Sequence, residues 1–191
     1  MKETLVFVHG MSHGAWCWEE KFIPYFEAKG YTCLAINLPG HEKMGSSKAI
    51  SFSINDYVQA LCAFVDKLDT PPILIGHSMG GMIVQRYLKT GKAQKAILLA
   101  SVPPSGVLFP SLRTLFRYPG AIPYLLQGNL LKAFQKYAKL FFNDNPLSEV
   151  YKPKLCAESF WAYLGLFIPV RHRIDCPVMV IGGSADGLIS V

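Results

Sequence analysis

The chain has 191 residues, 51% of them apolar and 17% charged, which is enough for one well-built core and too few for two full domains. The opening residues show no cleavable apolar signal, and the longest uncharged apolar stretch, 159–170, contains Pro169 and is far shorter than a bilayer span, so neither export nor a membrane-spanning helix is expected. The net charge of +6 sits mostly in 104–175, where nine Lys and Arg face four Asp and Glu, but no basic run or nucleic-acid signature accompanies it, so no nucleic-acid partner is expected.

In chain order, 5–8 reads as a strand. Residues 16–29 follow as a helix closed by Gly30, with Pro24 requiring a later start or a kink, and 32–37 reads as a second strand. The polar, turn-rich stretch 38–52 is expected as a loop over the sheet edge. Ser53 and Asp56 resemble a capping box, and Ile54, Val58, Leu61, Cys62, Val65 and Leu68 recur at helical spacing. Residues 72–75, 79–89 and 95–100 then read as strand, helix ended by Gly91, and strand.

From Pro103 an aromatic-rich helical pattern takes over, broken by prolines at 119, 123, 146, 153 and 169, and a strand returns only at 178–181. The expected fold class is α/β: a mostly parallel sheet with helices on both faces and an inserted helical cap. Its divisions are 1–102 (first part of the core), 103–175 (cap, or lid) and 176–191 (core continued). A cap in that position lies over the carboxyl end of the sheet, where open α/β folds place ligands.

Five widely spaced cysteines (17, 33, 62, 156 and 176), without a CxxC pair or accompanying histidines, read as reduced thiols. They give no metal site, and a cytoplasmic home is expected.

The chemistry is concentrated in Gly76-His77-Ser78-Met79-Gly80, directly after one strand and directly before a helix. This is the strand–turn–helix context of a G-x-S-x-G nucleophile elbow. Its glycines allow the tight turn, and the helix directs its N-terminal N–H groups at a developing oxyanion.

With His9-Gly10 at the end of the first strand, Leu38-Pro39-Gly40-His41 after the second, and Gly80-Gly81 in the helix, the chain resembles the α/β-hydrolases over nearly all of its length. The resemblance implies Ser78 as nucleophile, the backbone N–H groups of Met11 and Met79 as oxyanion hole, and Asp186 as the triad acid. It also puts the histidine after one more helix and strand. Only 187–191 remain, so that histidine is expected beyond Val191, the last strand and helix of the fold are expected to be missing, and an uncovered sheet edge should lower stability. His13 and His172 are weaker substitutes for the base, while His9, His41 and His77 fit packing roles.

The run His13-Gly14-Ala15-Trp16-Cys17-Trp18 resembles the plant methylesterase and hydroxynitrile-lyase branch and bacterial relatives. The lyases of that branch carry threonine after the first-motif histidine, where this chain has Gly10, which favours ester hydrolysis over cyanohydrin cleavage. The resemblance therefore implies a serine hydrolase acting on an ester, with no metal or organic cofactor, and the aromatic residues of the cap, Phe116 and Tyr118 among them, suit a small apolar ester, though an ordinary lid core accounts for most of them. A lyase on the same scaffold and a catalytically dead small-molecule binding protein stay open as alternatives.

Gly10, Ser12, His13, Phe134 and Trp161 are the substrate-pocket candidates. Residues 130–142 set Lys132, Lys136 and Lys139 apart from Leu131, Phe134, Ala138 and Phe141. That pattern suits an anionic lipid surface, though a solvated lid helix accounts for it better.

Overall fold

The computed structural model describes residues 2–46, 51–137, 148–184 and 186. Five parallel strands form one sheet in the order β2-β1-β3-β4-β5, where β1 is Thr4–Val8, β2 Thr32–Ile36, β3 Ile73–His77, β4 Lys95–Leu99 and β5 Val178–Ile181. Every one of these runs is rich in branched or aromatic residues, as the strands of parallel sheets are.

Alternation along β1 divides the interior in two. Val6 and Val8 join one core with Leu74, Leu98 and the helices α3 (Ile54–Val65) and α4 (Met79–Tyr87). Leu5 and Phe7 join the other with Ile73, Ile75 and Trp18, against α1 (Trp16–Glu19) and α2 (Phe22–Glu27). Helices thus cover both faces, and the α/β expectation holds.

The single helix expected over 16–29 is two. The break falls at Glu20 and Lys21, which puts Pro24 in the first turn of α2, where its missing N–H has no intrahelical acceptor to lose. Gly30, at φ +92°, then ends α2 as expected. The capping box of α3 is present in both directions: the Asp56 N–H donates to Ser53 Oγ at 3.3 Å and the Ser53 N–H donates to Asp56 Oδ2 at 2.7 Å. Val58 and Cys62 only flank the core, while Tyr57, absent from the expected face, is fully buried.

Between β4 and β5 run α5 (Leu108–Arg117), a 3-10 turn (Pro119–Ala121), α6 (Ile122–Leu126), α7 (Leu130–Lys136), α8 (Ser148–Tyr151), a second 3-10 turn (Lys152–Lys154) and α9 (Phe160–Gly165). Of the stretch 130–142 read as one helix, residues 130–137 lie among the described residues, and the helix there is Leu130–Lys136. The four residues of β5 are exposed, Val180 to 72%. No helix among the described residues is long and apolar enough to cross a membrane.

Candidate active site

The chain leaves β1 for β2 on one side and returns through α3 to β3 on the other, so β1 and β3 form the switch point at which the connections diverge. Crevices at the carboxyl ends of such strands are where open α/β sheets bind ligands. Ser78 stands at the end of β3 and the loop from His9 at the end of β1.

Ser78 has φ +53° and ψ −117°, a conformation costing a non-glycine residue about 1–3 kcal/mol. Three hydrogen bonds hold it there: its N–H donates to Leu99 O at 3.0 Å, and its carbonyl accepts from Gly81 N–H at 3.0 Å and Val102 N–H at 3.1 Å. The turn is possible because two glycines let backbones meet. A Cβ on Gly76 would lie 2.6 Å from the Gly80 carbonyl oxygen, and one on Gly80 would run into the carbonyl oxygen of Val8. Ser78 itself is half-buried, and Met79 behind it is buried at the first position of α4, where an N–H has no partner within the helix.

The His9 loop closes against this turn. A Cβ on Gly10 would lie 2.9 Å from His77 Nδ1 and 3.1 Å from Ser78 Cβ, so only glycine fits without a shift. His9 Nε2 accepts the Leu38 N–H at 3.1 Å, which leaves the ring proton on Nδ1 to donate to Gly10 O at 2.9 Å. Because the Gly10–Met11 peptide is planar and trans, fixing that carbonyl also fixes the opposed N–H of Met11. Burial, with the nearby His41, pushes the His9 pKa well down, so the ring stays neutral in this role.

His13 folds back over the loop, its Nδ1–H donating to Met11 O at 2.7 Å and its ring stacked on Trp16 at 5.4 Å. Trp16 in turn stacks on Tyr151 at 6.1 Å, joining α1 to α8. His77 lies 6.1 Å from the His13 ring. Burial, reinforced by His13, pushes the His77 pKa down to about 4, and the carboxylate of Asp186 opposes that shift, which brings Asp186 within electrostatic reach of the site. His172 is fixed elsewhere: its Nε2 pairs with Gln85 O at 2.9 Å, six residues beyond Met79 and so about 9 Å down the helix axis.

The family model described as "Alpha/beta hydrolase family" matches residues 5–190. The chain belongs to the alpha/beta hydrolase family. Among curated relatives of this hydrolase-family chain is the pFDCC methylesterase MES16 of Arabidopsis thaliana, 37% identical over 115 residues that cover 56% of this chain and 43% of that protein. Methylesterase 18 of the same plant is 27% identical over 166 residues, covering 82% of this chain and 60% of its own. The chain thus spans about half the length of these relatives. In fold, it is similar to a lipase-esterase related protein from Clostridium acetobutylicum, with a TM-score of 0.73 at 22% identity over 98% of this chain and 77% of that one.

The structure brings Gly10, Met11, Ser12, His13, His77, Ser78 and Met79 of this α/β-hydrolase together. Trp161, on α9, is 60% exposed. The side chain of Phe134 and residues 187–191 lie outside the described residues. Among the described residues no group of three metal-ligating side chains converges.

Sequence reasoning missed a buried carboxylate beside the site, Glu158, whose side chain is fully enclosed with that of His41. Its Oε2 accepts from Ser12 N–H at 3.0 Å and lies 3.2 Å from His41 Nε2, while Oε1 accepts from Tyr57 O–H and Ser159 N–H, both at 2.8 Å. His41 Nδ1 faces Pro39 O at 3.3 Å, so both ring nitrogens meet acceptors and the imidazolium form satisfies both. Burial alone lowers the His41 pKa, but its hydrogen bond and attraction to Glu158 outweigh that and raise it. A signal was available: Glu158 is the only charge between Lys154 and Arg171, in an otherwise apolar stretch.

Proposed function

We infer that the complete protein is a carboxylic-ester hydrolase that acts by acyl transfer to Ser78. The observation that carries this reading is the backbone of Ser78, held at φ +53° between β3 and α4 with the Gly10 loop against it. Strain of this kind persists only where the surroundings enforce it, and it aims a serine hydroxyl out of the turn.

On this reading Ser78 Oγ attacks the ester carbonyl, and the N–H groups of Met11 and Met79 receive the tetrahedral oxyanion. Collapse expels the alcohol and leaves an acyl-serine, which water then hydrolyses to the acid and free enzyme. A histidine carried beyond Val191 takes the serine proton, delivers it to the departing alcohol and then activates the water, with Asp186 holding its tautomer. The helices between β4 and β5 act as the lid, a small apolar ester is the substrate, and no cofactor takes part. The methylesterases among the relatives support an ester rather than another acyl substrate. Glycine at position 10, where the lyases of the branch it resembles carry threonine, weighs against cyanohydrin cleavage.

The test is a fluorophosphonate probe on the purified protein, with the labelled residue mapped by mass spectrometry and hydrolysis of p-nitrophenyl acetate followed in parallel. Label on Ser78, lost in Ser78→Ala together with at least about a hundredfold of the activity, is the expected result. Activity that survives Ser78→Ala refutes the reading, and turnover of mandelonitrile in place of the ester selects the lyase.

A further inference from the structure

We propose that Glu158 is a positioning residue for the loop that supplies the oxyanion donor: from the segment between β4 and β5 it fixes the Met11–Ser12 peptide. The proposal rests on the hydrolase reading for the task of that loop, but the contact itself does not.

The peptide is held at both ends. Its N–H, from Ser12, donates to Glu158 Oε2 at 3.0 Å, and its carbonyl, from Met11, accepts from His13 Nδ1 at 2.7 Å. In a planar trans peptide these two groups point in opposite directions, so the two bonds together set the plane. Ser12 needs holding, since it sits at φ +60°, in the left-handed region a non-glycine residue enters at a cost. Its carbonyl is taken as well, by Cys156 N–H at 2.9 Å. Residues 156 and 158 thus grip Ser12 on either side. Its hydroxyl, by contrast, is buried with no hydrogen-bond partner among the described residues, so the conformation is imposed through the backbone and not by the side chain.

A hydrogen bond to an ionised acceptor is shorter and stronger than one between neutral groups, and here it is shielded from water. The other donors on Glu158 have a separate job. His41 Nε2 lies 3.2 Å from Oε2 as a buried ion-pair partner, and Tyr57 ties the carboxylate to α3. Among the described residues His9, 5.0 Å from the His41 ring, His13 and Glu42 also act on His41. Because Glu158 directly precedes Ser159, the N-cap of α9, a displacement of that segment reaches the oxyanion loop through this carboxylate and through the Cys156 N–H.

The experiment compares Glu158→Gln with Tyr57→Phe in the full chain, recording the Ser12 amide by NMR with its hydrogen-exchange rate, and the rate of fluorophosphonate labelling at Ser78. Tyr57→Phe removes a donor from the opposite carboxylate oxygen and serves as a control for lost stability alone. In Glu158→Gln the Ser12 amide proton is expected to move upfield and exchange about tenfold faster, with labelling slowed about tenfold or more. In Tyr57→Phe both readouts are expected to stay within about twofold, even where the melting temperature falls as far. An unmoved Ser12 amide in Glu158→Gln, or equal changes in the two variants, overturns the proposal. Absence of labelling at Ser78 in the unmodified complete protein refutes the hydrolase reading instead, while the amide comparison still decides whether Glu158 holds the loop.

Discussion

The residues that shape the site act mainly through what they leave out. Gly10, Gly76 and Gly80 have no side chain where one would strike the neighbouring turn, and Ser78 occupies a strained position among them. Gly80→Ala is therefore expected to cost about 1–3 kcal/mol, since the added methyl meets the rigid backbone of Val8 and His9. Gly30→Ala, with open space around it, is expected to pay only the left-handed backbone cost of about 1–2 kcal/mol. Urea unfolding of both variants measures the difference, and a Gly80→Ala protein as stable as the parent would contradict the packing account. Gly76, Ser78 and Gly80 stand out in the sequence because the elbow is local, five residues between a strand and a helix. Glu158 and Tyr57 do not, because a carboxylate and a phenol 101 positions apart declare themselves partners only when folded.

Elements follow the sequence wherever the deciding interaction is local. The capping box of α3 was readable because both of its hydrogen bonds close within four residues. Ser53→Ala is expected to lower stability by about 1 kcal/mol, read as a drop in the urea midpoint with an unchanged slope. Where the deciding interaction is tertiary, the pattern misleads. In α5 Ser111, Thr114 and Leu115 are half-buried, Ser111 Oγ meeting Tyr163 OH at 3.1 Å, while Phe109 and Phe116 are 74% and 87% exposed. An aromatic count in this segment therefore overstates the apolar lining of a pocket. Likewise Tyr57 goes to the core of α3 because a buried carboxylate awaits its hydroxyl, which no periodicity of apolar residues anticipates.

The whole molecule stores a pH dependence in its histidines. Burial holds His9, His13 and His77 below their ordinary value of 6.5, His77 down to about 4. The unfolded chain therefore binds protons that the folded one refuses, and this part of the stability is complete above about pH 6.5 and is lost as pH falls toward 4. His41 has the opposite sign: its folded value is raised, so its contribution is complete below 6.5 and is lost as pH rises through that raised value. A urea midpoint highest near neutrality is expected, with a shallower acid limb in His77→Gln and a reduced alkaline fall in His41→Gln. A midpoint flat from pH 4 to 7 would show that these rings are not held as described.

The sequence by itself determined the parallel α/β order, the strand–serine–helix turn and the cap of α3, because each depends on residues adjacent in the chain or repeating along it. Only the tertiary structure decided that the loop after β1 is held from the far end of the helical segment, that α5 turns its aromatics outward, and that one buried acid joins four separate parts of the chain. Those outcomes depend on which surfaces meet across the sheet, and a buried charge is tolerated only where such a meeting supplies its partners.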